Sequence, residues 1–587
     1  MKEIIFNEVL PNVLKPARYS GGELNTYTMK ENPDVRFVLA FPDTYEVGMS
    51  HLGMRILYGL LNELEGVNCE RAFAPLSDMA EELKKRDLPL FSLESYQPLG
   101  TADFIGFSLQ FEMCITTVLY MLELSNLPLL ASDRTDEMPL VIGGGPCTVN
   151  PEPMKDFFDL FLIGESEEVL PELMQLYKEN KDKQTFLQKV ACLEGVYVPK
   201  YHTKNQIVKR TYIRDMNKAY FPEKTIVPFI EIVHDRVVTE IMRGCMRGCR
   251  FCQAGFIYRP VRQKSIETVN RQVDSLIDHS GYEEVSFASL STTDYKGCAQ
   301  VIDHIMTDRE DDKIRVSIPS LRINTHSVEM LRSTQKMKAG TLTFAPEAGS
   351  QRMRDIINKN VSEEEIMDAI TYAFECGFTK IKLYFMIGLP YETDEDVAGI
   401  ALLANKIYDL YKSTYNNSKL SLSISLANFV PKPFTPFQYF GQNSKEEFFR
   451  KHNIISNIVR KQIKYNYHDS YYSVMEAALA RGDSRLNEII LDAYSQGCVF
   501  DSWNDEFDYK IWSNSFEKFG LNLEEYAQRS FSYEEELAWD FIDIGLDKKF
   551  FQREDEKSKK VATTPNCFEK CSACGISARN GECKFDI

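Results

Sequence analysis

No stretch of the 587 residues approaches the roughly 18 consecutive apolar residues that a membrane-spanning helix needs. A helical membrane protein is therefore excluded, and no membrane partner is expected. A positive charge balance is missing too. Lysine and arginine number 68 against 86 aspartates and glutamates, a formal net charge of −18. That disfavours broad electrostatic binding to nucleic acid, although a local basic patch survives such a balance. No internal repeat of fixed period is visible. The first eight residues, Met1 to Glu8, carry acidic residues and no long apolar core, unlike a secretory signal. The 14 cysteines do not read as a disulfide framework. Seven of them fall into two metal-like groups, which suits a reducing, cytoplasmic setting. Apolar content of 44% is ordinary for a globular chain, and the length predicts about three domains.

What is present is concentrated in Met242-Arg243-Gly244-Cys245-Met246-Arg247-Gly248-Cys249-Arg250-Phe251-Cys252-Gln253-Ala254-Gly255. Three cysteines stand as C-x3-C-x2-C after a strand-like run, Val237 to Ile241, and before a helical one. This spacing lets one loop wrap three corners of a cubane [4Fe–4S] cluster and leaves the fourth iron open. Ferredoxin-type runs use C-x2-C-x2-C and recruit a fourth cysteine. A structural zinc site wants four ligands in two pairs. Three buried core thiols are argued against by the glycines and arginines between them. Gly244 and Gly248 suit a backbone that must approach an inorganic core, and Phe251 offers an aromatic face beside the open iron.

This loop, aromatic residue included, resembles that of the radical S-adenosylmethionine (SAM) superfamily. The resemblance implies that SAM chelates the open iron. One electron from the cluster then cleaves it to methionine and a 5′-deoxyadenosyl radical that abstracts a hydrogen atom. It also implies a reductant such as flavodoxin or ferredoxin.

Residues 1–200 alternate apolar strands with helical runs. Strands are expected at Arg36–Phe41, Phe104–Leu109, Leu140–Ile142 and Phe158–Ile163, with helices at Met49–Leu64 and Thr116–Leu124. The pattern predicts a doubly wound, Rossmann-like parallel sheet with ligands beyond the carboxyl ends of its strands. Gly143, Gly144 and Gly145 follow the third of these strands. They are the clearest candidate contact for a phosphate or nucleotide tail, a plain tight turn being the alternative. The order from this glycine run through Asn150-Pro151-Glu152-Pro153 to Ile163-Gly164-Glu165 resembles the cobalamin-binding domain fused to many radical SAM enzymes. Cobalt-ligating versions carry D-x-H-x-x-G after the first strand. Here Asp43-Thr44-Tyr45-Glu46-Val47-Gly48 has tyrosine at the histidine position, and His51 is out of register. Cobalamin without a histidine ligand, or a domain that has lost the cofactor, both remain open. Cys69, Cys114, Cys147 and Cys192 read as buried single thiols.

Residues 201–235 read as a connector and 236–440 as an open (β/α)6 radical SAM barrel with its chemistry at the strand carboxyl ends. There Ser289 and Ser291 are candidates for the amino end of SAM, Arg322 and Glu347 for its carboxylate or ribose, and Ile387-Gly388 for its adenine. Pro346 to Arg352 followed by Gly388-Leu389-Pro390-Tyr391-Glu392-Thr393 resembles the cobalamin-type and methylthio-transferring branches of the superfamily.

Residues 441–545 read as a helical domain, with Trp503, Phe507 and Trp512 at core-like intervals. Arg481 to Arg485 and Phe500 to Trp503 resemble an uncharacterised subfamily of fused cobalamin-domain radical enzymes. Residues 546–587 read as a charged linker (546–565) and a cysteine-rich tail. Cys567, Cys571, Cys574 and Cys583 are candidate ligands of a second iron–sulfur cluster or a zinc ion. Similar chains end in CG-x-C, where this chain has Ser577; the fourth ligand is therefore open, with Cys583 the candidate substitute.

The resulting expectation is a radical SAM transferase moving a methyl or other group to a substrate that the sequence does not identify. Methylthio modification of RNA or protein is a second enzyme reading. A non-catalytic iron–sulfur or cobalamin-responsive module is a third, from another class.

Overall fold

In the computed structural model, all residues are described except 204, 319–322, 324–326, 329–340, 416–418, 578–582 and 584–587. Strands β1 (Val35–Phe41), β2 (Val67–Phe73), β3 (Phe104–Ser108), β4 (Leu140–Gly144), β5 (Leu160–Leu162) and β6 (Val196–Tyr197) form one sheet in the order β2-β1-β3-β4-β5-β6. Every neighbouring pair is parallel except β5 with β6. Crossovers by Leu52–Glu63, Ile115–Leu124 and other helices leave all the parallel strands with their carboxyl ends on one edge. The expected doubly wound domain is therefore present.

Strand β2 lies outside the sequence reading. All seven of its residues are buried, including Asn68, Glu70 and Arg71. These polar side chains are buried because each finds a partner. Asn68 accepts from the Lys30 amide at 2.9 Å, Glu70 pairs with Arg36 at 2.8 Å, and Arg71 pairs with Glu23 at 2.7 Å and Glu94 at 2.6 Å.

The connector adds β7 (Val208–Lys209). The barrel follows with β8 (Val237–Glu240), β9 (Met242–Arg243), β10 (Arg262–Gln263), β11 (Glu284–Ala288), β12 (Arg315–Ser317), β13 (Leu342–Glu347), β14 (Lys380–Ile387), β15 (Ser421–Asn428) and β16 (Lys464–Tyr467). Among the described residues its parallel strands stand in two sheets, β12-β11-β8 and β13-β14-β15-β16. Strand β16 extends the sheet beyond the expected boundary at 440. Its polar sequence, Lys-Tyr-Asn-Tyr, and mostly exposed side chains give no apolar signal.

The C-terminal third is mainly helical and packs back on the first domain. The Arg481–Arg485 segment is a packing element: Asn150 donates to the carbonyls of Ala480 and Gly482, each at 3.0 Å. Buried Asp501 accepts from Thr116 at 2.7 Å. Trp512 is fully buried, but Trp503 is 38% exposed, because its indole reaches across the surface to Asp43 at 3.1 Å. A short strand β17 (Ile542–Asp543) pairs with β7.

The segment read as a linker contains a helix, Lys548–Lys559. Its charges face outward or pair, while Phe550 and Phe551 are buried against Phe256. Among the described residues no helix is long and apolar enough to cross a membrane.

Candidate active site

The cysteine loop hangs between β9 and β10, which pair antiparallel and fasten both of its ends. Gly244 takes φ +80°, and a side chain there would meet the carbonyl oxygens of Tyr258 and Pro260 at 2.6 Å. Its other restraints are charged. Arg247 forms a two-pronged pair with Asp294, which also accepts from Ser291 at 2.7 Å. Buried Arg250 donates to the Ile356 carbonyl at 2.7 Å and pairs with Glu554 at 3.2 Å. Asn358 donates to the Gly248 carbonyl at 3.0 Å.

No cysteine of the chain is in a disulfide. Burial and the neighbouring Cys249 thiol push Cys245 up to about 12 and Cys252 up to about 11. At neutral pH these thiols keep their protons, which a bound metal must displace. Lys359 supplies positive charge beside Cys249 and Cys252 and is itself held by Glu347 at 3.1 Å.

Above the loop, the carboxyl edge of the first sheet meets that of the barrel. Between them lies a cavity of about 440 Å³. The first domain contributes Phe37, Leu39, His51, Ser108, Gln110, Gly144, Gly145 and Glu165. The barrel contributes Glu240, Arg243, Gly244, Tyr258, Ser289 and Leu290. The size is that of a pocket for an organic cofactor or substrate. A larger cavity of about 620 Å³ lies between the first domain and the C-terminal helices. It is remote from the strand edges, and its Arg485 and Arg529 already pair with Asp483 and Glu535, so the smaller cavity is the better candidate.

An ion-pair network crosses the joint. Glu165 receives both prongs of Arg262 at 2.8 Å and Arg243 at 3.1 Å. Arg243 also holds Glu167 at 2.5 Å and Glu240 at 2.8 Å. Burial alone would raise the Glu165 carboxyl, but Arg262 and then Arg243 hold it below the usual range. His51 caps the Leu52–Glu63 helix by accepting from the Met54 amide at 3.4 Å. Burial lowers its imidazole to about 4, so it is neutral at physiological pH.

The three glycines separate by role. Gly144 faces the cavity, where an added Cβ meets only the Phe107 oxygen at 4.0 Å. Gly145 also lines it. Gly143 does not: its Cβ position is filled by Phe161 at 2.7 Å, so packing requires this glycine. The Ile387 side chain is fully buried in the barrel core. The Gly388 amide donates to Glu392 at 2.8 Å.

Ser289 lines the cavity, whereas Ser291 is committed to Asp294. Glu347 ends β13 at φ +67°, beside an irregularity in register. Phe251 packs beside the small apolar cluster around Met353 and Phe437. Arg322 lies outside the described residues. Cys69, Cys114 and Cys147 are buried, but Cys192 is exposed. Sequence reasoning missed Glu165, Arg243, Arg262, Asp294 and Lys359, whose partners are distant in the chain. The Met-Arg-Gly-Cys-Met-Arg-Gly-Cys run was the available hint for Arg243.

Two family models match this chain: the N-terminal domain of radical SAM proteins over residues 53–199, and the radical SAM superfamily over 239–404. The second spans the cysteine loop and most of the barrel strands. The chain belongs to the radical SAM superfamily.

An uncharacterised protein of Methanocaldococcus jannaschii is 27% identical over 492 residues, covering 81% of this radical SAM chain and 97% of the relative. An uncharacterised methyltransferase of Pyrococcus horikoshii is 22% identical, covering 61% and 73%. Among solved structures, the radical SAM methyltransferase TsrM of Kitasatospora setae, with cobalamin and a [4Fe–4S] cluster bound, is 12% identical. That match has a TM-score of 0.49 and covers 69% of this chain and 77% of TsrM. As a radical SAM enzyme the protein uses a [4Fe–4S] cluster and SAM.

Proposed function

We propose that the enzyme is a cobalamin-assisted radical SAM transferase that moves a methyl or other one-carbon group to an unactivated carbon. One observation carries the reading: the cavity joins the glycine edge of the first sheet directly to the cysteine-loop edge of the barrel. A group held on one sheet therefore faces a group held on the other. When bound, the cluster with SAM supplies a hydrogen-abstracting radical, and cobalamin supplies a methyl carrier.

Cys245, Cys249 and Cys252 hold three corners of the cluster. Arg247 and Lys359, fixed on Asp294 and Glu347, keep positive charge beside the thiolates. Ser289 and Glu347 hold polar ends of SAM. Gly144, where a Cβ would meet nothing closer than 4.0 Å, leaves room for the second cofactor, with Phe37, Leu39 and Ile142 as its apolar wall. Tyr45 occupies the register of a cobalt-binding histidine, is buried, and is committed to Glu23 at 2.8 Å. No histidine ligand is expected at that position. The Glu165–Arg243–Arg262 network ties the two domains together at the joint. The 22%-identical relative named as a methyltransferase supports the transfer chemistry. Methylthio transfer is less well supported, because Cys69 is buried within β2, away from any cysteine loop.

The test is anaerobic reconstitution with iron, sulfide and hydroxocobalamin, followed by reduction in the presence of SAM. The expected products are 5′-deoxyadenosine and S-adenosylhomocysteine, with cobalamin retained after desalting. Deoxyadenosine without retained cobalamin would contradict the cobalamin assignment. Absence of deoxyadenosine from protein with an assembled cluster would contradict the transferase reading.

A further inference from the structure

The C-terminal tail closes on the underside of the cysteine loop. The Cys567 amide donates to the carbonyl of Met246 at 3.0 Å, between Cys245 and Arg247. Just upstream, the Thr564 amide donates to Asn358 at 2.7 Å, and Asn358 holds Gly248. The Ala562 carbonyl accepts from Arg250 at 2.8 Å. Loop positions 246 and 250 are thus held directly by a chain segment more than 300 residues away in sequence, and position 248 through Asn358.

The tail itself has the local geometry of a metal knuckle. In Cys571-Ser572-Ala573-Cys574-Gly575 the Ala573 amide donates to the Cys571 sulfur at 3.4 Å, a bond that stabilises a metal-bound thiolate. Gly575 takes φ +112°, and a Cβ there would meet the Asp547 amide at 2.9 Å. Cys574 is buried, its carbonyl accepting from Asp547 at 2.9 Å. The Ser572 hydroxyl oxygen is buried with no hydrogen-bond partner, a donor of the kind that metal-bound thiolates accept. Cys583 packs against the same apolar cluster in which Cys574 is buried.

Among the described residues no three His, Cys, Asp or Glu side chains already converge as a preformed single-ion site would. This holds for the loop cysteines as well as the tail. A tetrahedral ion draws thiolates to about 3.8 Å apart, from its metal–sulfur length of about 2.3 Å, whereas a cubane keeps them further apart.

We infer that Cys567, Cys571, Cys574 and Cys583 bind one tetrathiolate metal centre that latches the tail onto the cluster loop, so that its occupancy fixes the backbone from Met246 to Arg250. The second clause rests on the reading of that loop as the cluster site; the first does not. Two sources fit four thiolates, an iron–sulfur cluster and a single zinc ion, and metal analysis separates them.

Full-length protein in which Cys245, Cys249 and Cys252 are all replaced by alanine is purified anaerobically and analysed for iron, sulfide and zinc. It is expected to retain one centre, either about four irons with four sulfides or about one zinc. Further replacement of Cys571 and Cys574 by serine should remove it. A loop variant with no more metal than the combined variant overturns the site.

Hydrogen exchange over residues 242–250 is then compared between wild type and the Cys571→Ser/Cys574→Ser variant. Exchange about tenfold faster in the variant is expected, as for a locally unfastened loop. Unchanged exchange overturns the latch while leaving the loop's cluster assignment standing. If the double variant fails to fold, wild type stripped by a chelator replaces it in the same comparison.

Discussion

The first sheet and the barrel meet edge to edge, yet equip their edges in opposite ways. The first sheet offers space: Gly144 and Gly145 carry no side chains into the cavity, and its walls are Phe37, Leu39 and Ile142. The barrel edge offers ligands and charge: Cys245, Cys249 and Cys252, with Arg247 and Lys359 pinned by Asp294 and Glu347. Both edges obey the same topological rule, that ligands gather at strand carboxyl ends. One edge suits a bulky organic group held by shape. The other suits an inorganic group held by covalent ligands. Glu165, from the first domain, joins the two through Arg243 and Arg262 of the barrel.

The comparison breaks most visibly on the ligand side. Cys249→Ala is expected to abolish cluster assembly and with it deoxyadenosine formation, measured by iron content and by chromatography of the reduced reaction. Retained deoxyadenosine would remove the loop from the chemistry.

The joint comes next. Glu165→Gln leaves buried Arg262 without its carboxylate partner, while Arg243 keeps Glu167 and Glu240, and a loss of about 3–5 kcal/mol is expected in denaturant unfolding. Because the folded Glu165 carboxyl lies below its unfolded value, its contribution is present above the unfolded pKa. It is lost as pH falls through the folded one. The wild-type advantage over Glu165→Gln should therefore shrink on acidification below the usual carboxylate range. An advantage that grows there would contradict the network.

The glycine edge gives a smaller, sharper contrast. Gly143→Ala places a Cβ 2.7 Å from Phe161 and should cost about 1–3 kcal/mol by overpacking. Gly144→Ala meets open space and should leave stability nearly unchanged. Equal costs at the two positions would place Gly144 in the packed core as well.

The smallest effect is at His51. Its folded pKa, about 4, lies below the ordinary value, so the unfolded chain binds the extra proton. Stability falls as pH drops from about 6.5 toward 4, by at most a few kcal/mol. His51→Gln should flatten that part of the thermal-melting profile against pH. An unaltered profile would place the His51 ring in solvent.

Much of this architecture is legible in the residues. Alternating apolar and helical runs give both parallel sheets, and C-x3-C-x2-C points to the loop. What escaped reading was polar burial and distant partnership. Strand β2 is interrupted by Asn68, Glu70 and Arg71, which become core residues only through partners elsewhere in the chain. The helix Lys548–Lys559 reads as a charged linker until Phe550 and Phe551 are seen against Phe256. Gly143 to Gly145 look equivalent in sequence, but Phe161 fills the Cβ position of the first and the Leu109 carbonyl that of the third, so only Gly144 is open.

The most direct test fills the space on which the account depends. Wild type and Gly144→Phe, each with a fully assembled cluster, are incubated with hydroxocobalamin and desalted, and bound cobalamin is measured by absorbance. The account predicts about one equivalent retained by wild type, as for a single site, and almost none by Gly144→Phe, with iron content unchanged. Equal retention by both proteins, or none by wild type, would contradict it.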